Sequence, residues 1–135
     1  MKFEIRQNVD ELRSAMIARI DADTEKVRGH FITLGAGQSM VYAQKRAEAE
    51  AWAANPDLPP SEIPHLYAEA QVFGVEVIDV VAEVLTLAEQ WKSVSAVIES
   101  RRLEAKERLR NAQTVADLRA AAFIDWTDIL ALRRI

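Results

Sequence analysis

Apolar residues recur at helical steps through most of this chain. Val9, Leu12, Met16, Ile20 and Val27 lie near one helix face, with Ile17 beside it. The spacing predicts a helix from about Val9 to Val27, with Asn8 as its N-cap and Glu11 as the capping-box partner. Arg13, Arg19, Asp21, Asp23, Glu25 and Lys26 fall between the apolar positions and make a mixed-charge solvent face. Ahead of it KFEIR alternates apolar and polar, so residues 1–7 read as a short strand or an extended arm.

Gly29 is placed just beyond the end of this helix. The following HFITLGAGQS predicts a short extended segment and a Gly-rich turn, with Gly35 and Gly37 flanking Ala36. A second helix is expected from Ser39 to Ala54, rich in alanine and stopped by Asn55-Pro56. All four prolines lie in residues 55–64, a stiff loop. Pro64 suits the first turn of a short third helix, whose apolar side is Leu66, Tyr67, Ala70 and Phe73.

The stretch from Gly74 to Ala112 has no internal glycine or proline and carries the longest helix signal. Val77, Val81, Val84, Ala88, Trp91 and Ile98 make its stripe, widened by Ile78, Leu85 and Val94. It reads as one helix of about 57 Å at 1.5 Å per residue, long enough to project beyond a small bundle. The alternative is two helices with a break near Ser93–Ser95. From Arg101 the character changes: RRLEAKERLR is basic, with Leu103 and Leu109 as its main apolar groups. Thr114 is a good N-cap for a last helix running to the end of the chain, which Asp125–Thr127 could divide. The fold class is therefore mainly α. It is a small helical bundle organised around one long helix, with a short extended or β-hairpin-like Gly-rich segment near residues 29–38, in a single domain over 1–135.

Composition narrows the chemistry. Half of the residues are hydrophobic, which excludes a disordered chain. The absence of cysteine excludes disulfides, thiolate catalysis and cysteine metal sites. The N-terminal MKFEIRQNVDELRS has scattered charge and no apolar run, so no signal peptide is expected. The apolar windows carry Glu76, Asp79, Glu83 and Glu89, so no membrane span is expected. A formal net charge of −4 gives no whole-molecule attraction to nucleic acid.

Candidate catalytic groups are sparse. His30 and His65 are far apart in sequence and outside any HExxH pattern, so each is read as a surface or capping residue. The Gly35–Gly37 turn lacks the Lys-Ser/Thr of a phosphate-binding loop. Asp21, Asp23 and Glu25, or Asp125 and Asp128, have the spacing of solvated helix carboxylates. No catalytic, cofactor or metal site is assigned, and no enzymatic activity is expected. The candidate partner-binding residues are Arg101, Arg102, Lys106, Leu109 and Arg110 in the basic half of the long helix, with Trp126 as an interface anchor.

Two stretches carry a resemblance. The first is DADTEKVRG followed by FITLGAGQSMVYAQKRAEAEAW, with Phe31, Thr33, Gly35, Gly37, Gln38, Tyr42, Lys45 and Glu48 as its most distinctive positions. The second runs from Ile98 through Arg101 and Ala105 to Ala112 and Thr114. Together, from about Leu12 to Ala122, they resemble small phage and prophage tail proteins associated with tail-fibre genes. The resemblance implies a tail-fibre assembly chaperone or a small tail or baseplate adaptor, with no cofactor. Its implied partner is a tail-fibre or baseplate protein, with a second copy of the chain as a further option. Its implied location is the host cytoplasm during assembly, or the virion tail. The alternative class is a small helical regulatory or nucleic-acid-binding protein, which needs an exposed basic face.

Overall fold

In the computed structural model, residues 2–132 are described, and among them the regular elements are all helical. The order is α1 (Lys2–Gly29), α2 (Ala36–Ala54), a 3₁₀ turn (Pro60–Glu62), α3 (Pro64–Phe73), α4 (Val77–Asn111), α5 (Val115–Ala121) and α6 (Thr127–Leu130). The last three residues of the expected C-terminal helix lie outside the described residues.

Two expectations are corrected, and one open alternative is decided. The alternating KFEIR is neither strand nor arm, because α1 begins at Lys2 and Asn8 lies inside it. Lys, Glu, Arg and Gln are good helix formers, and extending an existing helix costs far less than starting one. Phe3 and Ile5 are exposed, so no sheet face rewards the alternation. Nor is there a hairpin at 29–38. The amides of His30, Phe31 and Ile32 return to the carbonyls of Val27 and Arg28 at 3.0–3.1 Å, closing α1 in a turn. Too few residues remain before α2 for two paired strands. Gly35 sits there at φ 128°, where L side chains are rarely found, and its carbonyl accepts the Ser39 amide and hydroxyl. In the C-terminal stretch the division allowed near Asp125–Thr127 is the arrangement found, with two short helices in place of one. Thr114 does cap α5, accepting the Asp117 amide at 3.1 Å, but α5 ends at Ala121. Asp125 then accepts the Thr127 amide at 2.9 Å and opens α6.

Other expectations hold. Pro64 occupies the first turn of α3, where its missing N–H removes no helical bond. Gly74 ends α3 in the left-handed region at φ 63°, and the Val75 amide returns to the Ala70 carbonyl at 3.0 Å. The long element is one helix through Ser93–Ser95, where the Ser93 hydroxyl donates to the Glu89 carbonyl.

The residues read as one domain fall into two compact units. The first comprises 2–32 and 94–132 of the described chain. Its core joins Val9 and Ile20 of α1, Ala105 and Leu109 toward the end of α4, Ala112 just past it, and Leu118 and Ala121 of α5. Ala105, Leu109 and Ala112 follow four–three spacing, and the small alanines let neighbouring helices approach around the larger leucine. The second unit is 33–93. Ala49 of α2, Ile63, Leu66 and Ala70 around α3, and Val80 and Val81 of α4 form its core, with Trp52, Leu58 and Leu85 packed against it.

Candidate functional site

The basic half of α4 makes its contacts within the first unit. Arg102 is amphipathic, with a long apolar stem and a guanidinium that offers several donors. It donates to Glu99 one turn back and to Asp21 of α1 at 2.8 Å. Lys106, one turn on, donates to the same Asp21 at 3.1 Å. Glu99 also accepts from Arg28 of α1 at 2.7 Å, and Arg28 from its other edge meets Glu25. Charges alternate along the whole set, Lys106, Asp21, Arg102, Glu99, Arg28 and Glu25, and it joins α1 to α4. Hydrogen bonds from Arg102, then Lys106, hold the Asp21 carboxyl below its usual range, and Arg102 does the same for Glu99. The Arg102 guanidinium is correspondingly held more firmly protonated.

Two other arginines tie down chain ends. The last carbonyls of a helix have no partner inside it. Arg13 of α1 donates to the Leu109 carbonyl in the last turn of α4 at 3.0 Å and to the Ala112 carbonyl just past its end at 2.6 Å, where a cation also suits the helix dipole. Arg101 grips the turn before α6. It pairs with both oxygens of Asp128 at 2.7 Å, donates to the Asp125 carbonyl at 3.0 Å, and lies 5.9 Å from the centre of the Trp126 ring. Arg101 holds the exposed Asp128 down to about 2.

The six candidate partner-binding residues thus have different fates. Leu109 is fully buried in its own chain's core. Arg102 and Lys106 sit in the α1–α4 ladder, and Arg101 in the clamp on α6. Trp126 is half-buried beside Arg101. Arg110 alone of the six is exposed, paired with Glu107 at 3.3 Å on its own helix. This basic half of α4 packs within its own unit: Arg102 and Lys106 meet Asp21 of α1, Arg101 meets Asp128 of α6, and Ala105 and Leu109 are buried. The spacing was legible, but Asp21, the acid shared by Arg102 and Lys106, lies 81 and 85 residues earlier.

In the second unit a buried carboxylate has a structural task. Glu48 of α2 is 3% exposed and accepts the backbone N–H of His65 at 2.8 Å and its Nδ1 at 2.7 Å. That N–H belongs to the first turn of α3, where donors lack helical partners and negative charge is favoured. With Glu48 ionised, the second contact requires a hydrogen on Nδ1. Lys45 of α2 and Glu69 of α3 approach to 2.8 Å nearby. His30, in the first unit, meets Phe31 edge-on at 4.9 Å. Among the described residues no group of His, Asp and Glu is placed to hold a metal ion.

The α3–α4 corner is the feature that sequence reasoning missed. Leu66 and Ala70 are buried, but Phe73, expected on the same apolar side, is 69% exposed. Beside it Val72, Val75 and Ile78 are also exposed, at 77%, 45% and 58%. Glu76, Asp79 and Glu83 recur at three- and four-residue steps next to them, all exposed. The ion pairs of this unit join Lys45 to Glu69, Arg46 to Glu50 and Glu48 to His65, and include none of those three acids. The available signal was apolar residues on both sides of Gly74, more than one face of a ten-residue helix can bury.

No helix among the described residues is long and apolar enough to cross a membrane. Compared with models of known protein families, with curated proteins and with solved structures, the chain matches none.

Proposed function

We propose that this chain is a protein-binding helical module, acting as a phage tail-fibre assembly chaperone or as a small tail or baseplate adaptor. The general part of this reading is carried by the exposed apolar corner of Val72, Phe73, Val75 and Ile78. Exposed apolar side chains gathered within seven residues of a folded chain mark a place where another surface can remove them from water. Each buried aliphatic or aromatic side chain contributes about 1.5–3 kcal/mol before the costs of association. The tail context comes from the sequence resemblance, through Phe31 to Glu48 and Ile98 to Thr114. Arg102 and Lys106 lend little to the nucleic-acid alternative, since carboxylates of the same chain already meet their charge.

Co-expression with the tail-fibre or baseplate proteins of the same genome, followed by size-exclusion chromatography, tests the reading. A complex is expected, and Phe73→Ser with Ile78→Ser is expected to abolish it. A complete panel of tail proteins that never co-elutes with the chain would remove the tail context. Mass spectrometry of purified particles separates the two forms of the proposal. The adaptor is present in stoichiometric amount, whereas the chaperone acts in the host cytoplasm and is absent from the particle.

A further inference from the structure

We propose that the α3–α4 corner binds a cationic amphipathic segment of the partner, one that pairs apolar side chains with lysine or arginine. The inference rests on the protein-binding reading above and adds the chemistry of the partner. Between Arg46 and Lys92 the chain has no lysine or arginine. Across the same stretch Asp57, Glu62, Glu76, Asp79, Glu83 and Glu89 are all exposed. The apolar corner lies inside this stretch without lysine or arginine, with Glu76 next to Val75, Asp79 next to Ile78, and Glu83 one turn beyond Asp79 along α4. Among the described residues no cation pairs with Glu76, Asp79 or Glu83, so the corner offers apolar contacts beside a negative rim. An acidic segment docking there would set its carboxylates against these three acids, whereas a cationic one would pair with them. Complementary rims of this kind raise association rates and exclude like-charged partners, while the apolar centre supplies affinity. The same rim disfavours an anionic lipid surface.

The test uses the full chain and two synthetic amphipathic peptides, one of leucine and lysine and its leucine–glutamate counterpart. Saturable binding of the lysine peptide, weakened by added salt, is expected, with none for the glutamate peptide. Glu76→Lys with Glu83→Lys, and separately Phe73→Ser with Ile78→Ser, are each expected to weaken the lysine peptide about tenfold, the effect of losing roughly 1.4 kcal/mol. Asp57→Lys with Glu62→Lys makes the same charge change elsewhere in the region and is expected to leave binding unchanged. All of these positions are exposed, so circular dichroism should show the same helicity in every variant. Equal loss in the Asp57/Glu62 control, or equal binding of both peptides, overturns the inference. So does a self-associated chain that Phe73→Ser with Ile78→Ser dissociates in sedimentation, since a second copy would then cover the corner. The two readings fail separately. If the tail protein is lost with the apolar variant but retained with the charge reversal, apolar docking stands and the cationic partner does not. If neither variant affects the tail protein, the corner is not the interface.

Discussion

The two units handle their polar groups in opposite ways. In the unit of residues 2–32 and 94–132, charge is dense and committed. Arg13, Arg28, Arg101, Arg102 and Lys106 each hold a carboxylate or a carbonyl from elsewhere in the same unit. In the unit of residues 33–93, cations are scarce, one carboxylate is buried as a helix cap, and others face outward beside exposed apolar side chains. Charge density along a sequence is therefore a poor guide to availability. The most charged stretch is paired within its own unit, while an unassuming helix–glycine–helix corner leaves apolar side chains exposed.

The sharpest way to break this contrast is in the first unit's core. Leu109→Ala should cost about 2–5 kcal/mol, as expected for a fully buried leucine, while Arg110→Ala beside it should stay within about 0.5 kcal/mol. Urea denaturation of the two variants measures both. Equal effects would mean that the basic half does not pack as described.

In the second unit Glu48→Ala should cost about 1–3 kcal/mol, because the first-turn amide of α3 and the His65 ring lose their acceptor together. Glu48→Gln keeps one acceptor and should cost less. A Glu48→Ala midpoint equal to wild type in the same urea experiment would show that α3 stands without this carboxylate. Thr114→Ala, which removes the cap of α5, should cost roughly 0.5–2 kcal/mol and be read the same way.

Acid should distinguish the units next. Asp21 and Glu99 are held below their ordinary 3.8 and 4.5 in the folded chain. The unfolded chain therefore binds more protons in this range. The stabilisation is complete above these ordinary values and is lost as pH falls through the lower folded ones. The first unit should weaken as pH falls below 4.5, and the Arg101–Asp128 clamp should loosen between 3.8 and about 2. Pepsin digestion across that range should begin to cut near Phe123 and Leu130 as the clamp opens, and Arg101→Gln should bring the same cuts at higher pH. An identical cleavage profile for wild type and Arg101→Gln would separate α6 from the clamp. The smallest stability effect belongs to Phe73→Ser with Ile78→Ser, each within about 0.5 kcal/mol at an exposed site. Loss of binding without loss of stability is the signature expected of the corner.

Much of the helical scaffold was legible in the sequence. The apolar spacing from Val9 to Val27, Pro64 at the start of α3, Gly74 at its end and Thr114 as a cap all rest on local rules that the structure obeys. KFEIR misled because alternation signals a strand only where a sheet waits to receive it. The basic half of α4 misled because ion pairing is non-local: nothing near Arg102 points to Asp21. Phe73 misled because period alone cannot say how much of an apolar side finds a neighbour. The absence of cations between Arg46 and Lys92 was plain to read, yet acquires meaning only beside exposed Phe73 and Ile78.

The bonds of Arg13 span 96 and 99 residues, from α1 to the end of α4. A unit fastened across such a separation must close a long loop before its contacts can reward it. During synthesis it waits until Ala112 has been added, whereas the described residues of the other unit, 33–93, form a contiguous block made earlier. The acidic, apolar corner should therefore mature on the ribosome ahead of the ion-paired unit, and a partner made at the same time could meet it there first.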